Sequence, residues 1–157
     1  MSLVNLVDEL HAVAAALRDA GVPYAVCGGV AVTIHGATRS TRDIDLLVAR
    51  VDVPRVLDAI RPLGYLFAAL PLTFDEGTER ERHVQRVTKI EGDEHLVLDL
   101  LLSEGAYAGF LTDRIEVDLP QGPLVVVSRD ALLRMKRLAG RAQDLADLDK
   151  LEGADEP

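Results

Sequence analysis

The apolar positions of this chain follow two periods. Between residues 4 and 20, Leu6, Val7, Leu10, Val13, Ala14 and Leu17 recur at helical spacing, and Gly21 follows as a stop, which predicts an amphipathic covering helix. An apolar run, Tyr24-Ala25-Val26-Cys27, then meets Gly28-Gly29, a short apolar stretch long enough for two helical turns, and the alternating run Asp43-Ile44-Asp45-Leu46. Residues 24–48 therefore read as strand, glycine turn, helix and second strand. Asp52 stands where it would cap a helix over Val53 to Leu63, with Pro54 in its first turn and Gly64 as its stop.

Further along, Tyr65 to Leu70 suggests a short strand, and the polar stretch 71–82, PLTFDEGTERER, reads as a loop. Val84 to Ile90 and His95 to Leu102 read as two strands of a hairpin joined at Gly92-Asp93. Two more strands, Arg114 to Leu119 and Leu124 to Val127, flank the turn cluster Pro120-Gln121-Gly122-Pro123. Ser128 is the expected N-cap of a helix with Ala131, Leu132, Met135 and Leu138 on one face, ending at Gly140. A last helix is expected from Ala142 to Leu151, before a polar tail. The fold class is α/β (α+β): a mixed β-sheet flanked by helices, with a C-terminal helical hairpin. The 157 residues suit a single domain, its core about 1–127 and its C-terminal helices about 128–152.

Composition narrows the class. A hydrophobic fraction of 48% with 27% charged residues is that of a globular protein. No apolar stretch approaches the roughly 20 residues that span a bilayer, and no cleavable leader pattern opens the chain, so a cytoplasmic protein without a membrane partner is expected. Cys27, the one cysteine, fits a reducing compartment and reads as a buried small hydrophobe. Four scattered histidines show no zinc-ligand spacing. The net charge of −9 lacks the basic excess usual for nucleic-acid binders. Two segments rich in Arg and Lys, residues 80–89 and 129–141, leave room for a local patch, although a solvated charged face is the simpler reading.

The candidate chemistry lies in the carboxylates and the glycines. On a strand Asp43 and Asp45 share one face, their Cα atoms about 6 to 7 Å apart, and two carboxylates at that spacing converge on a cation such as Mg²⁺. Gly28 and Gly29 let the backbone approach a phosphate closely, beside the positive end of the following helix. Asp99 is the one carboxylate in the apolar run 95–102 and needs a partner, a proton or a polar cavity to be stable there. Walker and Rossmann glycine patterns are absent.

Gly28-Gly29, thirteen residues, then Asp43-Ile44-Asp45 resembles the signature of the DNA polymerase beta-like nucleotidyltransferase superfamily. With Arg39 and Thr41 ahead of the acids, it is similar to the minimal nucleotidyltransferases and the AbiEii/AbiGii toxin group. Lys136, Arg141, Asp144 and Asp147 resemble that group's C-terminal motif more loosely, since Gln143 stands where a Lys is common. The residues of that segment also admit a plain surface lysine at Lys136, with Asp144 and Asp147 as surface acids pairing with Arg141.

The resemblance implies a nucleotidyltransferase-type fold and transfer of a nucleotidyl group from an NTP to an acceptor hydroxyl. Asp43, Asp45 and Asp99 would hold Mg²⁺ or Mn²⁺, with Asp99 as third acid or proton acceptor. Gly28, Gly29, Arg39, Thr41 and Lys136 would contact the nucleotide. The implied acceptor is a tRNA, a protein or a small molecule, and the implied setting a toxin–antitoxin or phage-defence pair. The alternative is a non-catalytic module of the same fold that pairs with a cognate antitoxin or another partner protein. An antibiotic-modifying enzyme is a third reading, for which an acidic surface suits a cationic aminoglycoside.

Overall fold

The computed structural model describes residues 3–37 and 41–153, with side chains from residue 6 onward. Helix α1 (Leu3–Asp19) leads into strand β1 (Ala25–Cys27), helix α2 (Gly28–Ile34) and strand β2 (Ile44–Val48). Helix α3 (Val53–Ile60) is followed by β3 (Tyr65–Ala68), β4 (Leu72–Phe74), β5 (Arg82–Glu91) and β6 (Glu94–Leu102). The hairpin β7 (Arg114–Leu119) and β8 (Gly122–Val127) precedes α4 (Arg129–Ala139) and α5 (Ala142–Gly153).

The strands form one mixed sheet in the order β3-β5-β6-β2-β1-β8-β7, with β4 paired to the same edge of β5 as β3. At its centre β2 runs parallel to β6 and antiparallel to β1, and β1 runs parallel to β8. This is the mixed sheet with a C-terminal helical hairpin that the nucleotidyltransferase resemblance implies, built from the elements that the periodicity predicts.

Side-chain alternation separates two faces. Ile44, Leu46, Leu96, Leu98 and Leu100 are fully buried with Leu6, Leu10, Val13 and Leu17 of α1 in the core. On that face Glu9 of α1 accepts hydrogen bonds from Lys89 Nζ at 2.7 Å and Tyr65 Oη at 2.8 Å, joining α1 to β5 and β3. Residues of opposite parity, among them Asp45, Arg86, Asp99 and Leu101, point the other way, where Leu132, Met135 and Lys136 of α4 meet them around a cavity.

Two local expectations change. Asp52 does not cap α3: its own backbone is helical, and its carboxylate accepts from Arg55 Nη1 at 3.0 Å instead. The polar stretch 71–82 is not all loop, because the unpaired edge of β5 recruits Leu72–Phe74 as β4, with Leu72 opposite Val84 and Phe74 opposite Arg82. Ser128 does cap α4, its Oγ accepting from the Ala131 backbone N–H at 3.0 Å. Gly140, in the left-handed region at φ 62°, ends that helix.

Since α4 supplies one wall of the cavity, loss of its cap has a measurable cost. Ser128→Ala is expected to lower stability by about 1 kcal/mol, read as a reduced urea midpoint with an unchanged slope.

Candidate active site

Strand register lines up a row of four side chains across the sheet. Cys27 on β1 is opposite Asp45 on β2, Asp45 is beside Asp99 on β6, and Asp99 is opposite Arg86 on β5. All four line one cavity of about 190 Å³. Neighbouring strands lie about 4.8 Å apart, so the two carboxylates are held side by side by the sheet itself. Arg86 binds the second of them with both arms: its Nε donates to Asp99 Oδ1 at 2.8 Å and its Nη2 to Asp99 Oδ2 at 3.0 Å. That hydrogen bond, and then the charge of Asp99, raise the guanidinium's already high pKa, with Asp43 and Asp45 adding to the effect.

Gly28 packs against Asp45. Its φ of 65° suits glycine, and a Cβ added there would overlap Asp45 Oδ2 and come within 2.8 Å of Asp45 Cβ. Gly28 and Gly29 form the first turn of α2 and line the same cavity as the two carboxylates. Cys27, just before them, is buried, and its thiol pKa is pushed well up by burial and then by Asp45. It is the inert apolar residue the sequence suggests.

The opposite wall is an ion cluster. Lys136 of α4, 6% exposed, places Nζ 3.1 Å from both Asp144 Oδ1 and Asp147 Oδ2 of α5, which are 1% and 0% exposed. Arg141 closes the cluster, its Nε donating to Asp144 Oδ2 at 2.8 Å, and Gln143 Nε2 donates to Asp147 Oδ1 at 2.9 Å. Burial pushes the Asp144 carboxyl up, but Arg141 and Lys136 outweigh it and hold the pKa below the ordinary range. The surface-lysine reading of Lys136, and the surface reading of Asp144 and Asp147, are thereby overturned. Lys136 and Arg141 together offset the charges of Asp144 and Asp147 inside the protein.

Residues 9–106 match the family described as aminoglycoside-2''-adenylyltransferase. The chain belongs to that family. It is therefore a nucleotidyltransferase, of the adenylyltransferase-like kind, and the matched span contains Gly28, Gly29, Asp43, Asp45, Arg86 and Asp99. The fold agrees. It is similar to a Thermotoga maritima protein assigned as a nucleotidyltransferase, at 14% identity over 98% of this chain and 96% of that one, with a TM-score of 0.66. It is also similar to ANT(2'')-Ia in complex with adenylyl-2''-tobramycin, at 16% identity over 96% and 89% of the chains and a TM-score of 0.58. A third likeness is to JHP933 from Helicobacter pylori, at 16% identity over 96% of this chain and 66% of that one, with a TM-score of 0.54. No curated protein matches the sequence.

Other candidate residues of this adenylyltransferase-family chain do not join the row. Asp43 lies outside strand β2 and, like Thr41, is not among the residues lining the cavity, so it does not share a strand face with Asp45 as the alternation predicts. Asp43 is exposed just before β2, within electrostatic reach of Arg86. Thr41 Oγ1 donates to the Asp43 carbonyl at 3.4 Å, so it shapes the approach to β2. Arg39 lies outside the described residues. The far end of the cavity is walled by Phe74, Arg82 and Tyr107, which the sequence reading did not single out. Arg82 is buried, pairs with Asp75 at 2.9 Å and sits 4.7 Å over the Phe74 ring.

The two basic segments are not a solvated face as a whole. Arg82, Arg86, Lys89, Lys136, Arg137 and Arg141 are each engaged with a carboxylate.

A divalent cation fits this site by donor chemistry. Asp45 and Asp99 present oxygen ligands on one face, and Mg²⁺ is ordinarily held by one or two carboxylates with water and phosphate completing its shell. Among the described residues no group of three or more His, Cys, Asp or Glu side chains is arranged to hold a metal ion, so Asp45 and Asp99 would need water and phosphate to complete the shell. No helix among them is long and apolar enough to cross a membrane.

Two outcomes follow from the geometry. Gly28→Ala is expected to cost about 2 kcal/mol in urea unfolding, from the left-handed backbone and the overlap with Asp45. Asp144→Asn is expected to cost about 3 kcal/mol, because it unbalances a buried ion cluster. Since the folded pKa of Asp144 is depressed, its contribution is present above the unfolded carboxyl range near pH 4 and is lost as pH falls through the folded value. Acid unfolding followed by circular dichroism should therefore be shallower in Asp144→Asn than in the native chain.

Proposed function

We propose that this chain, acting as one domain, transfers a nucleotidyl group from an NTP to a hydroxyl of a small polycationic acceptor of the aminoglycoside class. The observation that carries the reading is the register of Asp45 beside Asp99, with the Gly28 backbone against Asp45 in the same cavity. Membership of the aminoglycoside-2''-adenylyltransferase family and a net charge of −9, which attracts a polycation, support the acceptor class.

Asp43, Asp45 and Asp99 are the residues that would hold Mg²⁺ or Mn²⁺. Such an ion, when bound, orients the triphosphate and offsets the negative charge on the reacting phosphoryl group. Gly28 and Gly29, with no side chains in the way, leave room for the β- and γ-phosphates close to the backbone. Asp99, once released by Arg86, would accept the proton of the acceptor hydroxyl, a role worth about 10²- to 10⁴-fold in rate. Lys136 Nζ donates to Asp144 Oδ1 and lies 3.1 Å from Asp147 Oδ2, and a remaining N–H donor would serve a phosphate in the cavity. Phe74 and Arg82 would border the acceptor, because they lie beyond Asp99 from the glycine turn and an attacking hydroxyl enters opposite the leaving pyrophosphate.

A tRNA acceptor ranks second. It belongs to the toxin reading that the AbiEii/AbiGii resemblance implies, and the Lys136-to-Asp147 motif supports it. The pairing of most cavity-side cations with carboxylates weighs against it, since RNA affinity rests on cations free to meet phosphates.

Calorimetric titration of each NTP with Mg²⁺, followed by transfer of α-labelled nucleotide to tobramycin or to tRNA, tests the reading. Label on tobramycin is expected, and Asp45→Asn and Asp99→Asn should each reduce it by about 10³-fold. Label on tRNA alone would move the acceptor to the second reading. Failure to bind any NTP would favour a non-catalytic module that pairs with another protein.

A further inference from the structure

Asp99 is named above as a metal ligand or a proton acceptor, yet both its oxygens are already taken. The bond comes from Arg86, opposite it across the β5–β6 hairpin, at 2.8 and 3.0 Å. A carboxylate paired with a guanidinium keeps lone pairs on both oxygens, but its charge is offset and the guanidinium repels a second cation brought to the same face. Arg86 also feels the charges of Asp43 and Asp45. Its side chain is 42% exposed while that of Asp99 is 15% exposed. Arg86 can therefore swing into solvent or onto a phosphate at low desolvation cost, whereas Asp99, fixed in the middle of the sheet, cannot follow it.

We propose that Arg86 holds the place of the divalent cation in the metal-free protein: it neutralises Asp99, and it must give up that carboxylate for the metal to load. The inference rests on the reading that Asp45 and Asp99 hold the metal. Two charge states of the same row then alternate. Without metal, Arg86 offsets the repulsion between neighbouring carboxylates; with metal, the guanidinium is released toward the cavity, where an anionic triphosphate can receive it. Loading by metal alone is thereby weak.

The test is Mn²⁺ binding to the full chain without nucleotide, read by electron paramagnetic resonance as free Mn²⁺. Arg86→Gln, which cannot neutralise Asp99, is expected to bind Mn²⁺ about tenfold more tightly than the native chain, the size of one charge-assisted hydrogen bond. Arg86→Lys, which keeps the charge but loses the two-armed bond, should fall between them. Equal or weaker Mn²⁺ affinity in Arg86→Gln would overturn the proposal.

Should Arg86→Gln fail to fold, the native chain still decides the matter. The Arg86 Nε–H nuclear magnetic resonance signal should lose its hydrogen-bonded shift as Mg²⁺ is added to saturation, and an unmoved signal would refute displacement. Asp45→Asn and Asp99→Asn separate the two levels of failure. If either binds Mn²⁺ as well as the native chain does, or if no variant binds it, the metal reading falls and the Arg86 inference with it. If both lose Mn²⁺ while Arg86→Gln is unchanged, only the Arg86 inference falls.

Discussion

The site is built on an unfavourable contact. Asp45 and Asp99 occupy paired positions on adjacent parallel strands, so their like charges cannot move apart without breaking the sheet. The remedy comes from the next strand, and it demands that β5 and β6 meet in one register only. The Gly92-Asp93 turn enforces that register, since Arg86 and Asp99 each lie six residues from it. A slip of one residue would turn Arg86 to the α1 face and leave the acids without their nearest cation.

The C-terminal helices meet a similar demand on the other side of the cavity. An apolar seam alone would let α5 dock on α4 in more than one way. A lysine buried between Asp144 and Asp147 allows one arrangement, because any other leaves charges unpaired away from water. The ligand-facing wall made by Lys136 and Arg141 is thus fixed by the same ion cluster that seals the hairpin. Residues 9–106, which define the family, end before this wall begins. The cavity is therefore completed by residues outside the matched span.

Much of this was legible in the chain, and the illegible parts have physical causes. Helical and strand periods marked nearly every element because each buries one face against a shared core. The Gly28-Gly29 and Asp43-x-Asp45 spacing led to a nucleotidyltransferase, since a close backbone approach and neighbouring carboxylates leave plain marks in sequence. The family matched, however, is the aminoglycoside adenylyltransferase one and not the AbiEii/AbiGii group. β4 was hidden because three polar-flanked residues gain strand form only from the edge of β5. Asp144 and Asp147 looked like surface acids, and Lys136 read equally as a surface lysine or a nucleotide contact, because their burial arises from contact between two helices, not from the pattern within either. Arg86 was the nearest miss. Its place opposite Asp99 follows from counting outward from the Gly92-Asp93 turn, a step that needs only the hairpin.

The topology also sets an order of events while the chain is being made. β1 carries the glycine turn near the start, yet one of its two partner strands is β8, with Val26 paired to Val126. Until residues up to about 127 have left the ribosome, β1 is an open strand edge and the glycine side of the cavity lacks its outer support. Such long-range parallel pairing forms slowly, because a long loop must close before it gains any contact. The nascent protein thus carries its acid row, already balanced by the local β5–β6 hairpin, for some time before it has a pocket in which to use it.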